Sequence, residues 1–220
     1  MEKARALIIG GTKGLGRHLA LEARTRKIGA TVLGRSAISS GDLLRYSGVS
    51  HIQMDLTDES TWDVPLAATQ IFSVLRPWYV FWNAGIFTHS PLKDQSEGNI
   101  DQLIDTHLRG PVKFLRRLHH LMLMSRPLAE NPGDPYHLVV IASTSSYRMR
   151  VDETLYCALK AAKAAFARNF SRELVRDLPG SKLTLVNPAG MKTDLFVATG
   201  QDTSKYMEPA AVASLIWDQV

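Results

Sequence analysis

A tyrosine and a lysine, Tyr156 and Lys160, stand four residues apart in a stretch whose apolar spacing predicts a helix over Thr154–Arg176. Residues at this spacing share one face of a helix, so the ammonium group can lie near the phenol. A nearby cation lowers the pKa of a tyrosine from about 10, which favours proton transfer closer to neutrality. The pair is therefore a candidate acid–base centre, although this spacing also arises by chance.

A serine precedes the pair at the end of a buried apolar run. Ser143 follows Leu138–Ala142, which belongs to a predicted strand, and a hydroxyl at a strand end can stabilise a reacting carbonyl oxygen. Ser145 and Ser146 are close enough to be alternatives. We favour Ser143 because it stands where the strand ends.

A glycine-rich turn follows the first apolar run, in the order Gly10-Gly11-Thr12-Lys13-Gly14-Leu15-Gly16. Glycines allow a tight turn and close approach of a pyrophosphate to the backbone, and the N-terminus of the following helix offers N–H groups to the phosphate. A sharp turn alone would use the same residues. The position between the first strand and the first helix favours a dinucleotide site.

The second predicted strand ends at Gly34 and is followed by Arg35 and Ser36. NAD sites usually carry an acidic residue about 20 residues beyond the glycines, which bonds the ribose 2′-hydroxyl. Here a guanidinium stands at that place, and it suits a 2′-phosphate. Lys13 adds a second positive charge. The sequence therefore predicts NADP(H), the alternative being a solvated arginine at a strand end.

Short apolar runs alternate with helical patterns along the whole chain. The predicted strands are Ala4–Ile9, Ala30–Gly34, His51–Asp55, Trp78–Trp82, Tyr136–Ala142 and Lys182–Val186; the predicted helices are Leu15–Arg26, Asn99–Met124 and Thr154–Arg176, with a weaker one within Ser60–Leu75 and a turn at Asn131–Pro135. This order predicts a Rossmann-type α/β fold with a doubly wound parallel sheet. The length of 220 residues fits a single domain over 1–220.

These motifs together resemble the short-chain dehydrogenases/reductases over nearly the whole chain. The resemblance rests on the glycine turn, Asp55-Leu56, Asn83-Ala84-Gly85, the set of Ser143, Tyr156 and Lys160, and Asn187-Pro188-Ala189-Gly190-Met191-Lys192-Thr193. The positions that it implies for the cofactor are Gly10, Thr12, Lys13, Gly14, Leu15, Gly16, Arg35, Ser36, Asp55, Leu56, Asn83, Ala84, Gly85, Tyr156, Lys160, Pro188, Gly190, Met191 and Thr193.

The resemblance implies an NADP(H)-dependent carbonyl reductase or alcohol dehydrogenase acting on a small-molecule carbonyl or alcohol. Hydride would pass between the nicotinamide and the substrate carbon, while Tyr156 transfers a proton to or from the substrate oxygen. Lys160 would lower the pKa of Tyr156 and hold the nicotinamide ribose, and Ser143 would orient the substrate oxygen.

The chain departs from the family pattern at two places. His107 stands where the family usually has a catalytic asparagine that anchors a water. Three interpretations are open. His107 is a working substitute whose titration bends the pH dependence of the rate, or a buried histidine without a role, or a sign that activity has been lost. The chain also stops within the helix-like segment Pro209–Val220, so we expect the usual C-terminal edge strand to be missing. Loss of this edge strand disfavours the tetramer that is usual in the family, and we expect a homodimer instead.

Composition excludes several other classes of protein. The net charge is +5, but the basic residues are scattered, so we expect no nucleic-acid partner. No apolar run is long enough for a signal core or membrane span, and no histidine or cysteine spacing suggests a metal. Cys157 is the single cysteine, which favours a reducing compartment such as the cytoplasm.

Two other functions remain open on the sequence. One is an NADP(H)-binding regulator of the same fold with little or no turnover, which His107 and the short C-terminus favour. The other is a sugar-nucleotide epimerase or dehydratase, disfavoured because Arg17 stands where that glycine spacing needs a glycine. The segments expected to line the substrate pocket, Phe87–Asn99, Thr144–Leu155 and Leu195–Met207, carry no pattern that identifies the substrate.

Overall fold

The computed structural model describes residues 4–37, 47–73, 78–125 and 136–220. Six strands form one sheet in which every neighbouring pair is parallel, in the order β3-β2-β1-β4-β5-β6. The strands are β1 (Arg5–Ile9), β2 (Gly29–Gly34), β3 (Val49–Gln53), β4 (Trp78–Trp82), β5 (Tyr136–Ile141) and β6 (Lys182–Val186). The predicted doubly wound parallel sheet is confirmed, with strand boundaries differing from the predicted ones by at most two residues.

Helices cover both faces of the sheet. They are α1 (Gly14–Thr25), α2 (Asp63–Ser73), α3 (Glu97–Ile104), α4 (Gly110–Ser125), α5 (Thr154–Asp177) and α6 (Pro209–Asp218). Successive side chains of a strand point to opposite faces, so Leu7 and Ile9 join a core with α2, α4 and α5. Ala6 and Ile8 join a second core with α1 and α6. Burial on both faces explains why the central strands are almost entirely apolar.

Helical backbone runs without a break through the predicted helix Asn99–Met124, but the helix is not uniformly α-helical. A π-helical turn, Asp105–Arg109, separates α3 from α4. A π turn adds a residue to the helical ladder, and such turns frequently occur at functional sites. This one contains His107, which is buried.

Other expectations differ in detail. The weak helix within Ser60–Leu75 is α2 preceded by a short 3₁₀ turn, and Leu75 lies outside the described residues. The turn at Asn131–Pro135 also lies outside them. Leu195–Met207, expected to be irregular, begins within the 3₁₀ helix Asp194–Thr199. No strand follows β6 in the part of the chain that the structure describes, and none of its helices is both long and apolar enough to cross a bilayer.

The order of the strands determines where a ligand can bind. From β1 the chain adds β2 and β3 on one side, then crosses over to add β4, β5 and β6 on the other. At such a reversal the loops after adjacent strands diverge and leave a crevice at the carboxyl ends. In this chain the crevice lies beyond β1 and β4.

Candidate active site

A cleft of about 500 Å³ lies at the carboxyl ends of the strands. Its walls include every predicted cofactor position except Gly16, together with Ser143 and His107. The fold thus brings together residues that are more than 170 positions apart in the sequence, from Gly10 to Thr193. The roles assigned to them from the sequence stay predictions.

The turn after β1 is closed by contacts that only glycine permits. Gly10 has φ +81°, and a Cβ there would stand 2.6 Å from the Cα of Ala84. The side chain of Asn83 donates a hydrogen bond to the Gly10 carbonyl at 2.7 Å, which ties the turn to the end of β4. Gly16 does not line the cleft, since a Cβ there would stand 2.1 Å from the Gly10 carbonyl oxygen. Its role is close packing of α1 on the turn, not ligand contact.

The groups at this end of the cleft fit a phosphorylated dinucleotide. Helix α1 begins at the wall of the cleft, at Gly14, without a side-chain cap bond and without an acidic residue in its first turn, so its N-terminal end favours an anion. Gly14 has φ +51° and lines the cleft. Lys13 and Arg35 are both exposed at its wall, where they favour an anion. The Asp55 carboxylate accepts from the backbone and hydroxyl of Thr57, at 2.8 Å each.

Ser143 and Tyr156 both line the cleft, and the Ser143 hydroxyl acts to lower the pKa of the Tyr156 phenol. Ser143 also accepts from the backbone N–H of Ser145 at 3.1 Å, which fixes its hydroxyl. The Nζ of Lys160 lies 5.4 Å from the centre of the Tyr156 ring. The alternative serine Ser146 donates to Asn187 at 3.1 Å. Of the three serines, Ser143 is therefore the one that meets the phenol.

The protonation of this group differs from the expectation. Burial raises the pKa of Tyr156 above its ordinary value, the Glu153 carboxylate raises it further, and the Ser143 hydrogen bond lowers it. The expected net lowering by Lys160 is therefore wrong. Burial also lowers the pKa of Lys160 to about 8, because the amine is removed from water. At neutral pH the site holds a neutral phenol beside an ammonium group.

His107 is fully buried in the π turn and packs edge-on against Tyr156, with ring centres 5.6 Å apart. Its Nε2 lies 2.7 Å from the Ile86 carbonyl oxygen and 3.1 Å from the Ile86 nitrogen. Its Nδ1 is buried without a hydrogen-bond partner among the described residues. Burial and the charges of Lys160 and Lys163 hold the pKa of His107 well below 6.5. The imidazole is neutral at physiological pH, so a bend of the rate at its own titration is expected well below pH 6.5.

Sequence reasoning missed Lys163, which lies three residues after Lys160 on α5. Its side chain is fully buried, with Nζ 3.4 Å from the Ala84 carbonyl oxygen and 4.5 Å from the centre of the Trp82 ring. Burial and the neighbouring Lys160 lower its pKa well below the usual value. The spacing of the two lysines could have indicated this, because residues three apart share a helix face and Lys163 therefore lies on the same face as Lys160.

Replacing Lys163 with methionine should stabilise the protein at neutral pH. A lysine whose pKa is lower in the folded than in the unfolded state destabilises the fold while it is charged, and the penalty fades as the pH rises toward 10.5. We expect Lys163→Met to raise the free energy of unfolding at pH 7 by about 1 kcal/mol or more. Urea titrations at pH 7 and pH 9 should show the gap to wild type narrowing at the higher pH.

The matched control is Lys205→Met, because Lys205 is exposed. This variant should match wild type at both pH values. A Lys163→Met protein that is less stable at pH 7 would mean that the contacts with Trp82 and Ala84 outweigh the cost of burial.

Aromatic side chains form the wall of the cleft nearest Tyr156. Phe87 packs edge-on against Tyr156 and Phe196, with ring centres 4.8 and 5.0 Å apart. Phe196 in turn packs against Tyr206 at 5.2 Å. Phe87, Phe196 and Tyr206 lie in segments that were expected from the sequence to line the substrate pocket. The contact of Phe87 with Phe196 was not predictable because the two residues come from separate segments of the chain.

Comparison with known proteins places this arrangement in a family. A family model for short chain dehydrogenases matches residues 4–204, and the chain belongs to the short-chain dehydrogenase/reductase family. This confirms the resemblance found in the sequence. An uncharacterized short-chain type dehydrogenase/reductase of Sinorhizobium fredii is 27% identical over 202 residues, covering 91% of this chain and 75% of its own.

A relative with a stated activity is the NADPH-dependent pterin aldehyde reductase of Arabidopsis thaliana, 30% identical over 217 residues that cover 94% of this chain and 83% of its own. The fold is shared with a 3-ketoacyl-(acyl-carrier-protein) reductase of Brucella melitensis complexed with NADH, with TM-score 0.83, 19% identity, and coverage of 98% of this chain and 90% of that one. The fold is also shared with a short-chain dehydrogenase of Sphingobium yanoikuyae in complex with NADPH. The TM-score is 0.80 and the identity 22%, with coverage of 98% of this chain and 85% of that one. The protein is thus an oxidoreductase of this family, with a site for a nicotinamide cofactor.

Proposed function

We propose that residues 1–220 act as one dinucleotide-binding domain that reduces a small-molecule carbonyl compound with NADPH. The observation that carries this proposal is the convergence of Ser143, Tyr156 and Lys160 on a cleft whose other end is the glycine turn. When bound there, the nicotinamide supplies the hydride. The protein's own residues supply the proton and the position of the substrate.

The protonated phenol of Tyr156 suits the proton donation that reduction requires. The raised pKa of Tyr156 keeps its phenol protonated at neutral pH, so it can donate a proton to the substrate oxygen as negative charge develops there. Ser143 accepts from the Ser145 backbone N–H and acts on the pKa of the phenol, so its hydroxyl is placed to orient the substrate oxygen beside Tyr156. The Lys160 ammonium lies beside the phenol and stabilises the phenolate that forms.

The relatives with stated activities support a carbonyl substrate. One is the NADPH-dependent pterin aldehyde reductase, and another is a D-erythrulose reductase of Gallus gallus, 25% identical over 202 residues that cover 91% of this chain and 76% of its own. Both relatives are named for the reduction of a carbonyl group. The cytoplasmic location and the homodimer expected from the sequence stay predictions.

A screen of aldehydes and ketones with NADPH, followed by the loss of nicotinamide absorbance, tests the proposal. We expect turnover with at least one small aldehyde and less with NADH at equal concentration. Absence of turnover with every carbonyl compound and with both cofactors would favour the NADP(H)-binding regulator, which the buried, backbone-bound His107 supports.

The proposed cofactor preference rests on Arg35 and Lys13. We expect wild type to bind NADPH at least about tenfold more tightly than NADH, equivalent to about 1.4 kcal/mol for a charge-assisted phosphate contact. Arg35→Asp should reverse the preference, because a carboxylate repels the 2′-phosphate and accepts from a 2′-hydroxyl. Calorimetric titration of both cofactors measures this directly.

The control makes the same charge change away from the cleft, at exposed Arg168 on α5. Arg168→Asp should keep the wild-type preference. Equal wild-type affinities for NADPH and NADH would overturn the assignment of NADPH while leaving the nicotinamide site intact.

A further inference from the structure

Glu153 is a buried carboxylate in the wall of the cleft. The residue is 7% exposed and stands at the N-cap of α5, three residues before Tyr156. A carboxylate at an N-cap normally accepts from the first N–H groups of its helix, but this one makes no such bond.

The surroundings of Glu153 leave its oxygens without donors. Its one ion pair in the described residues is with Arg150, whose Nε lies 3.8 Å from a carboxylate oxygen, beyond hydrogen-bond distance. No described residue donates a hydrogen bond to the Glu153 side chain. The oxygens are not among the fully buried polar atoms that lack a partner, so they are open to the cleft that Glu153 lines. A ligand in the cleft can therefore donate hydrogen bonds to them.

The aromatic wall of the same cleft favours a flat ring. Phe87, Phe196 and Tyr206 form a continuous series of edge-on contacts that reaches Tyr156. Aromatic side chains arranged in this way offer ring faces and edges against which a planar ligand packs. The pocket therefore combines an apolar wall for an aromatic ring, the proton-donating Tyr156, and one carboxylate to which no described residue donates a hydrogen bond.

We propose that Glu153 is a specificity-determining residue that selects N-heteroaromatic carbonyl substrates bearing an amidine-type edge, with an amino group next to a ring nitrogen. This inference rests on the proposed reductase function. The two N–H donors of such an edge, in its protonated or imino form, match the two oxygens of a carboxylate. The ring packs on the aromatic wall, and its carbonyl group faces Ser143 and Tyr156.

Binding in this way also affects the proton donor. The negative charge of Glu153 contributes to the raised pKa of Tyr156. Donors that engage the carboxylate offset this charge and make the phenol a stronger acid. A substrate with the matching edge is therefore expected to gain in kcat as well as in KM.

Matched aldehydes test the assignment. The probes are 2-aminopyridines with the formyl group at carbon 3, 4 or 5, each compared with the pyridine carbaldehyde that lacks the amino group. For each pair, the ratio of kcat/KM values is measured with NADPH for wild type and for Glu153→Gln. Dividing the two ratios removes the intrinsic reactivity of the aldehydes and any general damage to the site. The control variant is Glu173→Gln, the same change at an exposed position of α5.

For at least one formyl position we expect the wild-type ratio to exceed the Glu153→Gln ratio by at least tenfold, within the range for a hydrogen bond to a charged group. Glu173→Gln should keep the wild-type ratio. Equal ratios in wild type and Glu153→Gln for all three positions would overturn the role of Glu153. If wild type reduces neither the amino nor the parent aldehydes, nor any other carbonyl compound, the reductase function itself fails.

Discussion

Tyr156→Phe is expected to lower kcat by about 10²–10⁴-fold while leaving NADPH binding nearly unchanged. The substitution keeps the buried ring and its packing against Phe87 and His107, and removes only the hydroxyl that donates the proton. The loss should therefore lie in the chemical step and not in binding. Steady-state rates on a confirmed aldehyde, together with calorimetric titration of NADPH, separate the two.

Tyr147→Phe is the matched control, since Tyr147 lies nearby on an exposed turn and does not line the cleft. It should show wild-type rates. Near-normal turnover by Tyr156→Phe would remove Tyr156 from its proposed role, and a loss of NADPH binding equal to the loss of rate would reassign it to the cofactor site.

His107→Leu is expected to lower kcat roughly a hundredfold, whereas His107→Asn should keep much of the activity. The imidazole holds Nε2 against the Ile86 backbone and presents a buried Nδ1 that has no partner among the described residues. An asparagine side chain offers a similar donor and acceptor, while leucine offers neither. The comparison therefore separates hydrogen bonding from packing.

The pH dependence gives an independent readout. Because the pKa of His107 lies well below 6.5, we expect a flat rate between about pH 6.5 and 7.5. The rate should fall as the pH rises through about 8, where Lys160 loses its charge. A bend near pH 6.5 that disappears in His107→Asn would contradict the neutral imidazole.

His119→Leu is the control for loss of a largely buried histidine on a neighbouring helix. His119 bonds Asp177 at 3.2 Å and does not line the cleft, so this variant should change stability but not the rate per folded molecule. If His107→Leu behaves in the same way, His107 is structural. If wild type is inert and His107→Asn creates activity, the regulator is the better description.

The sequence was sufficient for the fold and for most of the cleft because both follow local rules. Strands buried on both faces read as apolar runs, and the glycine turn, Ser143 and Arg35 each stand at the end of such a run. Parallel strands bring their carboxyl ends to one edge of the sheet. Residues at strand ends can therefore be placed together without knowledge of their contacts.

The π turn and the protonation states were not predictable in this way. Apolar spacing over Asn99–Met124 continues through the turn, so the pattern gives no sign that α3 ends at Ile104. The pKa of Tyr156 depends on how much of its surface is buried, which outweighs the lysine spacing visible in the sequence. The burial of Glu153 and Lys163 was not predictable either, because the sequence does not show which charged residues are removed from the surface.

Transfer of deuterium from NADPH tests the central proposal most directly. Wild type and Tyr156→Phe are incubated with an aldehyde substrate and NADPH carrying deuterium at one or the other face of nicotinamide carbon 4. Mass spectrometry then measures deuterium at the carbinol carbon. We expect wild type to transfer the label from one face only, and Tyr156→Phe to form little labelled alcohol in the same time. Absence of label in the wild-type product, or equal labelling by both proteins, would contradict proton donation by Tyr156 coupled to hydride transfer.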